Sequence, residues 1–279
     1  MGICGYEVNI IKKKEPNSIN DKTSTNQDDN NYIIAEMEIK DNVVNKDIRI
    51  IYSYDEFHRH DDFKPLKAEE SNEEEIKKCE IRINNELISF NYVNKFEKKV
   101  KYIIKYSFKN NLTKSNYLFF KCENFTKIDL SNFDSKRLTR MNCMFSDCKS
   151  LASINLNNVD TTNVIDMNHM FYKCVSLTNI DISSFNTENV VYMQAMFEGC
   201  KSLKDLNLSN FNTKNVTSMV WMFSGCTSLT YLDLSNFTTK KVEELNTDEM
   251  FYKCDNLKVE NVKVKDEKLL FILKNNFYI

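Results

Sequence analysis

Glycine is nearly missing from this chain. Only four occur among 279 residues, Gly2, Gly5, Gly199 and Gly225, and no glycine-rich loop that cradles a phosphate can be built from them. Histidine is as scarce, at three residues. No C-x-x-C pair is present, so zinc-finger spacing is absent. No apolar run reaches the roughly 18 residues that a membrane-spanning helix needs. An excess of positive charge is lacking too: the formal net charge is −2 and the pI near 6.0, which leaves no footprint for nucleic acid. The opening residues, MGICGYEVNIIKKK, lack the basic-then-apolar order of a secretory signal. The densest group of metal-binding side chains is His58-Arg59-His60-Asp61-Asp62. No third ligand can be named for it, and it reads as a solvated loop. No nucleophile–base arrangement can be argued. These absences lead to the expectation of a chain that is not an enzyme and needs no cofactor.

What is abundant is repetition. Cys122, Cys148, Cys174, Cys200 and Cys226 stand 26 residues apart, and Cys254 follows after 28. The segments LASINLNNVDTTNVIDMNHMFYKC, LTNIDISSFNTENVVYMQAMFEGC and LKDLNLSNFNTKNVTSMVWMFSGC align in step with them. A fixed period of this length points to stacked coils. In one coil, Leu206 and Leu208 alternate as on a strand with one buried face. Val216, Met219, Met222, Phe223 and Cys226 fall on one stripe at helical spacing. The joint Asn210-Phe211-Asn212-Thr213 has the composition of a turn. The expected coil is therefore strand, turn, short helix, turn. Stacking makes ladders of Phe133, Val159, Phe185, Phe211 and Phe237; of Met141, Met167, Met193 and Met219, continued by Leu245; and of Phe145, Phe171, Phe197, Phe223 and Phe251. The cysteines form a last ladder, expected to be buried and reduced rather than metal-bound or disulfide-linked. Nine cysteines, odd in number, fit a reducing compartment.

The pattern L-x-x-L-x-L-S-N-F-N-T-x-x-V-x-x-M-x-x-M-F-x-x-C resembles the BspA-like leucine-rich repeats of bacteria and protists. It covers about half of the chain, from Cys122 to Cys254. The resemblance implies a right-handed solenoid of α/β class used for protein–protein interaction, and many relatives are surface adhesins.

Around the repeats, residues 1–31 read as a flexible segment. Residues 32–118 read as a small antiparallel β domain that caps the stack, with Asn84-Asn85-Glu86 as a hairpin turn. The repeats occupy 119–254, and 255–279 form a C-terminal cap. Met1-Gly2-Ile3-Cys4 resembles a dual acylation site, with Gly2 for myristate, Cys4 for palmitate and Lys12-Lys13-Lys14 beside anionic lipid. Tyr6 stands where Ser or Thr is usual. The expected location is the cytoplasm, with acylation as the route to a membrane.

Binding is expected on the residues between the core leucines. One row is Asp129, Asn155, Asp181, Asn207 and Asp233, where amides alternate with carboxylates and relieve their repulsion. Beside it run Ser131, Asn157, Ser183, Ser209 and Ser235, and rows this uniform also read as structural hydrogen-bonded ladders. The row Lys127, Ser153, Asn179, Asp205 and Tyr231 is the most varied. Trp221 is placed on an outward row with Cys143, His169 and Ala195, either as an interface anchor or lying flat over the adjacent coil. The expected function is a protein-binding module or scaffold with a protein partner, no nucleic-acid partner and, at its start, either a lipid tether or a plain flexible terminus. A structural subunit of a larger assembly and a surface adhesin are the alternatives.

Overall fold

A computed structural model describes residues 30–59, 67–242, 247 and 249–276. Gly2, Cys4, His60, Asp61, Asp62 and Leu245, with the acylation reading, lie outside the described residues.

The N-terminal third is built from short strands. β1 (Tyr32–Glu38) alternates as a half-buried strand does, with Ile33, Ala35 and Met37 turned into the core. β2 (Asp47–Arg49) pairs antiparallel with β5 (Val93–Lys95). α1 (Tyr54–Arg59) and α2 (Glu73–Ile76) lie between β2 and β3 (Glu80–Ile83). β3 turns into β4 (Glu86–Ile88) through Asn84 and Asn85, whose φ of 48° and 71° suit a two-residue hairpin loop. β6 (Lys101–Ser107) lies between β3 and β1, antiparallel to both.

This sheet does not stop at the repeats. β1 also pairs antiparallel with β7 (Phe125–Asp129), and β7 pairs parallel with β8 (Ser153–Asn155). The order is β4-β3-β6-β1-β7-β8. A second sheet holds β9 (Asp205–Asn207), β10 (Tyr231–Leu234) and β11 (Val262–Val264), all parallel. No strand forms over 177–182. α3 (Glu267–Asn276) ends the described chain. Its start is set by Asp266, whose Oδ1 accepts the N–H of Leu269 while Oδ2 accepts that of Thr239.

The expected α/β solenoid of strand plus short helix is overturned. No helix exists among the described residues of 119–254, and the strand rows are interrupted into separate sheets. The architecture is mostly β. The reason lies in the second half of each coil. Met141, Cys143, Phe145 and Asp147 donate their N–H groups to carbonyls of the next coil, at Asp166, Asn168, Met170 and Tyr172. The residues between them close turns within the coil: Met144 N–H to Met141, Ser146 to Cys143, Cys148 to Phe145. A helix would instead spend every N–H on the carbonyl four residues back. The alternation needs two left-handed residues per coil. They are Cys143 and Asp147, His169 and Lys173, Ala195 and Gly199, Trp221 and Gly225, with φ from 53° to 73°.

The ladders themselves are buried. Phe119, Phe145, Phe171, Phe197, Phe223 and Phe251 stack near-parallel with centroids 5.5–6.0 Å apart. Phe185, Phe211 and Phe237 form a second stack at 6.4–6.5 Å. Five of the ladder cysteines do more than fill space. Cys174 Sγ donates to the carbonyl of Phe145 at 3.1 Å, and that carbonyl also accepts the N–H of Cys148. Cys148, Cys200, Cys226 and Cys254 repeat the contact one coil away each. A carbonyl has two lone pairs, and the thiol supplies the second donor. Thr161, Thr187 and Thr213 also clip coils together: each hydroxyl donates to the carbonyl of a residue one coil on and accepts the N–H of that same residue.

Candidate functional site

The residues expected to bind along the strands are largely occupied with one another. Oδ1 of Asp129, Asn155, Asp181, Asn207 and Asp233 each accepts the N–H two residues on, at Ser131, Asn157, Ser183, Ser209 and Ser235, over 2.9–3.1 Å. The same Asx turn recurs in all five coils, including the one over 177–182 that forms no strand. Asn155 Nδ2 donates to Asp129 Oδ1 at 3.0 Å. The Ser183 hydroxyl and N–H hold the Asp181 carboxyl below its usual range. Asp233 is buried, yet hydrogen bonds from Ser235 and the nearby Lys263 ammonium hold it low as well. Tyr231 OH donates to Asp233 Oδ2 at 3.3 Å, and Thr230 Oγ1 to Asp205 Oδ1 at 3.3 Å.

The row containing Trp221 is not uniformly outward. Ala195 is fully buried, Cys143 and His169 are half-buried, and Trp221 is 38% exposed. Its Nε1 donates to Glu249 Oε2 at 3.0 Å, one coil away. The helical projection had placed all four together on the outside. The turn conformation does not.

The structure brings a different set together. A groove of about 970 Å³ lies between α1 and the turn face of the first coils. α1 is fixed by its neighbours. Ser53 Oγ caps it by accepting the N–H of Glu56, and Asn72 Oδ1 accepts the N–H of Tyr54. Asp55 in return accepts the N–H groups of Asn72 and Glu73. Arg59 forms a bidentate pair with Glu73, which draws the Glu73 carboxyl down to about 2. Asn72 Nδ2 donates to the Asn116 carbonyl at 2.7 Å and ties the assembly to the first coil.

One wall is aromatic. Phe57 stacks on Tyr117 at 4.6 Å and meets Phe120 edge-on at 5.3 Å. Tyr54 packs against His58 at 4.1 Å, and His58 Nδ1 lies 3.0 Å from the Tyr54 carbonyl. His58 thus belongs to a helix rather than to the loop expected from sequence. Farther along, His169 and Tyr172 meet at 5.6 Å, with Lys173 Nζ over the Tyr172 ring at 4.6 Å. Burial pushes the Tyr117 phenol far up, so it stays protonated.

The polar floor comes from two positions per coil. Arg140, Asp166 and Tyr192 belong to a run of single parallel bridges that continues from Lys114 to Ser218. Asn142, Asn168 and Gln194 follow two residues later. Asp166 is 7% exposed. Burial pushes its carboxyl up to about 6, against the Asn168 N–H at 3.0 Å and Arg140 at 3.2 Å. Asn168 Oδ1 accepts the Gln194 N–H at 2.7 Å. Asn142 Oδ1 is buried and has no partner. The lining carries four basic residues (Lys67, Lys121, Arg140, Lys173) and four acidic ones (Glu69, Glu70, Asp147, Asp166), so these charges cancel.

Of the sequence-selected residues, only Cys143, His169 and His58 reach this groove. Tyr54, Phe57, Tyr117, Arg140, Asn142, Asp166 and Tyr172 were missed. A signal did exist: Lys114, Arg140, Asp166, Tyr192 and Ser218 share one position of the repeat, and no two are alike. Among the described residues, no group of three or more His, Cys, Asp or Glu is placed to hold a metal ion. No described helix is long and apolar enough to cross a membrane.

A family model described as Mycoplasma protein of unknown function, DUF285, matches residues 88–206 and again 166–269. The chain belongs to that family, a repeat-type family; the specific BspA-like leucine-rich repeat assignment is not what matched. No curated protein and no solved structure matches the chain.

Proposed function

We propose that this member of the DUF285 family is a non-enzymatic protein-binding module, and that it takes its partner in the groove between α1 and the turn face. The observation that carries the reading is the union of aromatic rings, side-chain amides and an unpartnered buried acceptor in one open cleft. Binding sites are mostly apolar clefts with a few convergent polar groups, and aromatic anchors dominate protein interfaces. The resemblance of the repeats to BspA-like sequences supports a protein as ligand. The strand-side rows offer less, since their polar atoms already serve the turns.

Paired variants test the reading. Tyr172→Ala with His169→Ala should reduce recovery of the partner from the native cell. Asp205→Ala with Tyr231→Ala should leave it unchanged. Both proteins are to be checked for unaltered circular dichroism. The opposite ranking would move the interface to the strand side and defeat the proposal.

A further inference from the structure

The groove contains one polar atom that the fold leaves unmatched. Asn142 is 7% exposed, and its Oδ1 is buried without a hydrogen-bond partner. Native structures seldom keep such an atom, because it has given up water for nothing. Its neighbours do not share the condition. Oδ1 of Asn168, one coil on, accepts the Gln194 N–H, and Asp166 is met by Asn168 and Arg140. Asn142 lines the groove, and rotation of its terminal amide turns Oδ1 out of burial to accept a donor that comes from outside. Two residues away, Arg140 also lines the groove, and its fork carries donors beyond the one given to Asp166.

An acceptor beside a donor is the complement of an amide, which presents N–H and C=O together. The charges around it narrow the ligand further. A cationic head would come close to Arg140, and an anionic head close to buried Asp166. The lining charges balance at four of each sign, which favours neither. The rings of Phe57, Tyr117 and Tyr172 ask for apolar flanks.

We infer that the groove binds an uncharged, extended peptide segment, with Asn142 Oδ1 accepting a backbone N–H and Arg140 donating to a backbone carbonyl. This rests on the groove being the binding site and adds the class of ligand.

The test uses the full chain and a displayed library of short capped peptides, with binding of the selected peptides measured by calorimetry. Uncharged sequences rich in apolar residues should be recovered. Asn142→Leu should weaken them about tenfold or more, a change of at least about 1.4 kcal/mol, while the melting temperature of the free protein does not fall. Methylating one backbone nitrogen of the peptide should cost the unaltered protein a similar factor. Combined with Asn142→Leu, that methylation should add little, because both remove the same bond. Methyl scanning leaves the protein untouched and remains decisive if Asn142→Leu folds poorly. Full affinity across the whole scan would overturn the amide inference. So would selection of charged peptides only, or recovery of no peptide, or glycan binding that depends on Asn142. If affinity survives Asn142→Leu but is lost in Tyr172→Ala, the groove stands and only the amide contact fails. If it survives both, the groove itself is wrong.

Discussion

Replacing the two glycines of the repeats separates the turn architecture from the helical one by sign. In a helix interior, glycine to alanine stabilises by about 1 kcal/mol. Here Gly199 has φ +73° and Gly225 φ +71°, a region where an L side chain costs roughly 1–2 kcal/mol. At Gly225 an added Cβ lies 3.5 Å from the Gly199 Cα, which is ordinary contact. Only backbone strain remains, and Gly225→Ala should cost about 1 kcal/mol. At Gly199 the Cβ comes within 3.1 Å of Lys173 Cγ and 3.5 Å of its Cα. The side chain there must shift, and Lys173 itself holds a left-handed φ of 55°. Gly199→Ala should therefore cost more, about 2 kcal/mol. Guanidinium titrations followed by far-ultraviolet circular dichroism measure both. A rise in midpoint for either variant would show that these residues are not left-handed and would refute the turn stack.

Three further outcomes follow from the same geometry. Phe211→Ala opens a cavity in a stack with neighbours on both sides and should cost about 3–5 kcal/mol, whereas Asn212→Ala loses one turn hydrogen bond, to the Lys214 N–H, and should cost about 1 kcal/mol; equal melting temperatures would misplace the ring. Cys148, Cys174, Cys200 and Cys226 are fully buried with thiols raised well above their ordinary value, so a thiol reagent should label them only after denaturation, and rapid labelling of the native protein would contradict the ladder. Asp166, raised from 3.8 to about 6 by burial, binds a proton more readily folded than unfolded, so its contribution to stability is largest below about pH 4 and is lost as pH rises through 6. That loss amounts to about 3 kcal/mol at most, Asp166→Asn should flatten the stability profile between pH 4 and 6, and an unchanged profile would show a solvated carboxylate.

The ladders were legible because a core slot that recurs every 26 residues demands the same residue type each time, as Phe145 through Phe251 show. The conformation between the slots was not. Val216, Met219, Met222, Phe223 and Cys226 lie on one helical stripe, yet a chain of turns buries the same positions. Only a left-handed residue tells the two apart, and sequence marks it clearly at Gly199 and Gly225 but not at Cys143, His169 or Trp221. The Asp and Asn row was legible as a ladder, though its atoms turn out to hold the Asx turns. The groove was hidden for another reason. Tyr54 and Phe57 meet Tyr117 across some sixty positions of chain, and the solitude of Asn142 Oδ1 depends on where all its neighbours point.

Photo-crosslinking tests the account most directly. A benzophenone amino acid is placed at Tyr172, inside the groove, and in a second protein at Ser209, on the strand side. The account predicts a protease-sensitive covalent adduct from Tyr172 in the native cell, suppressed by an excess of the selected peptide, and none from Ser209. An adduct from Ser209 alone would contradict it.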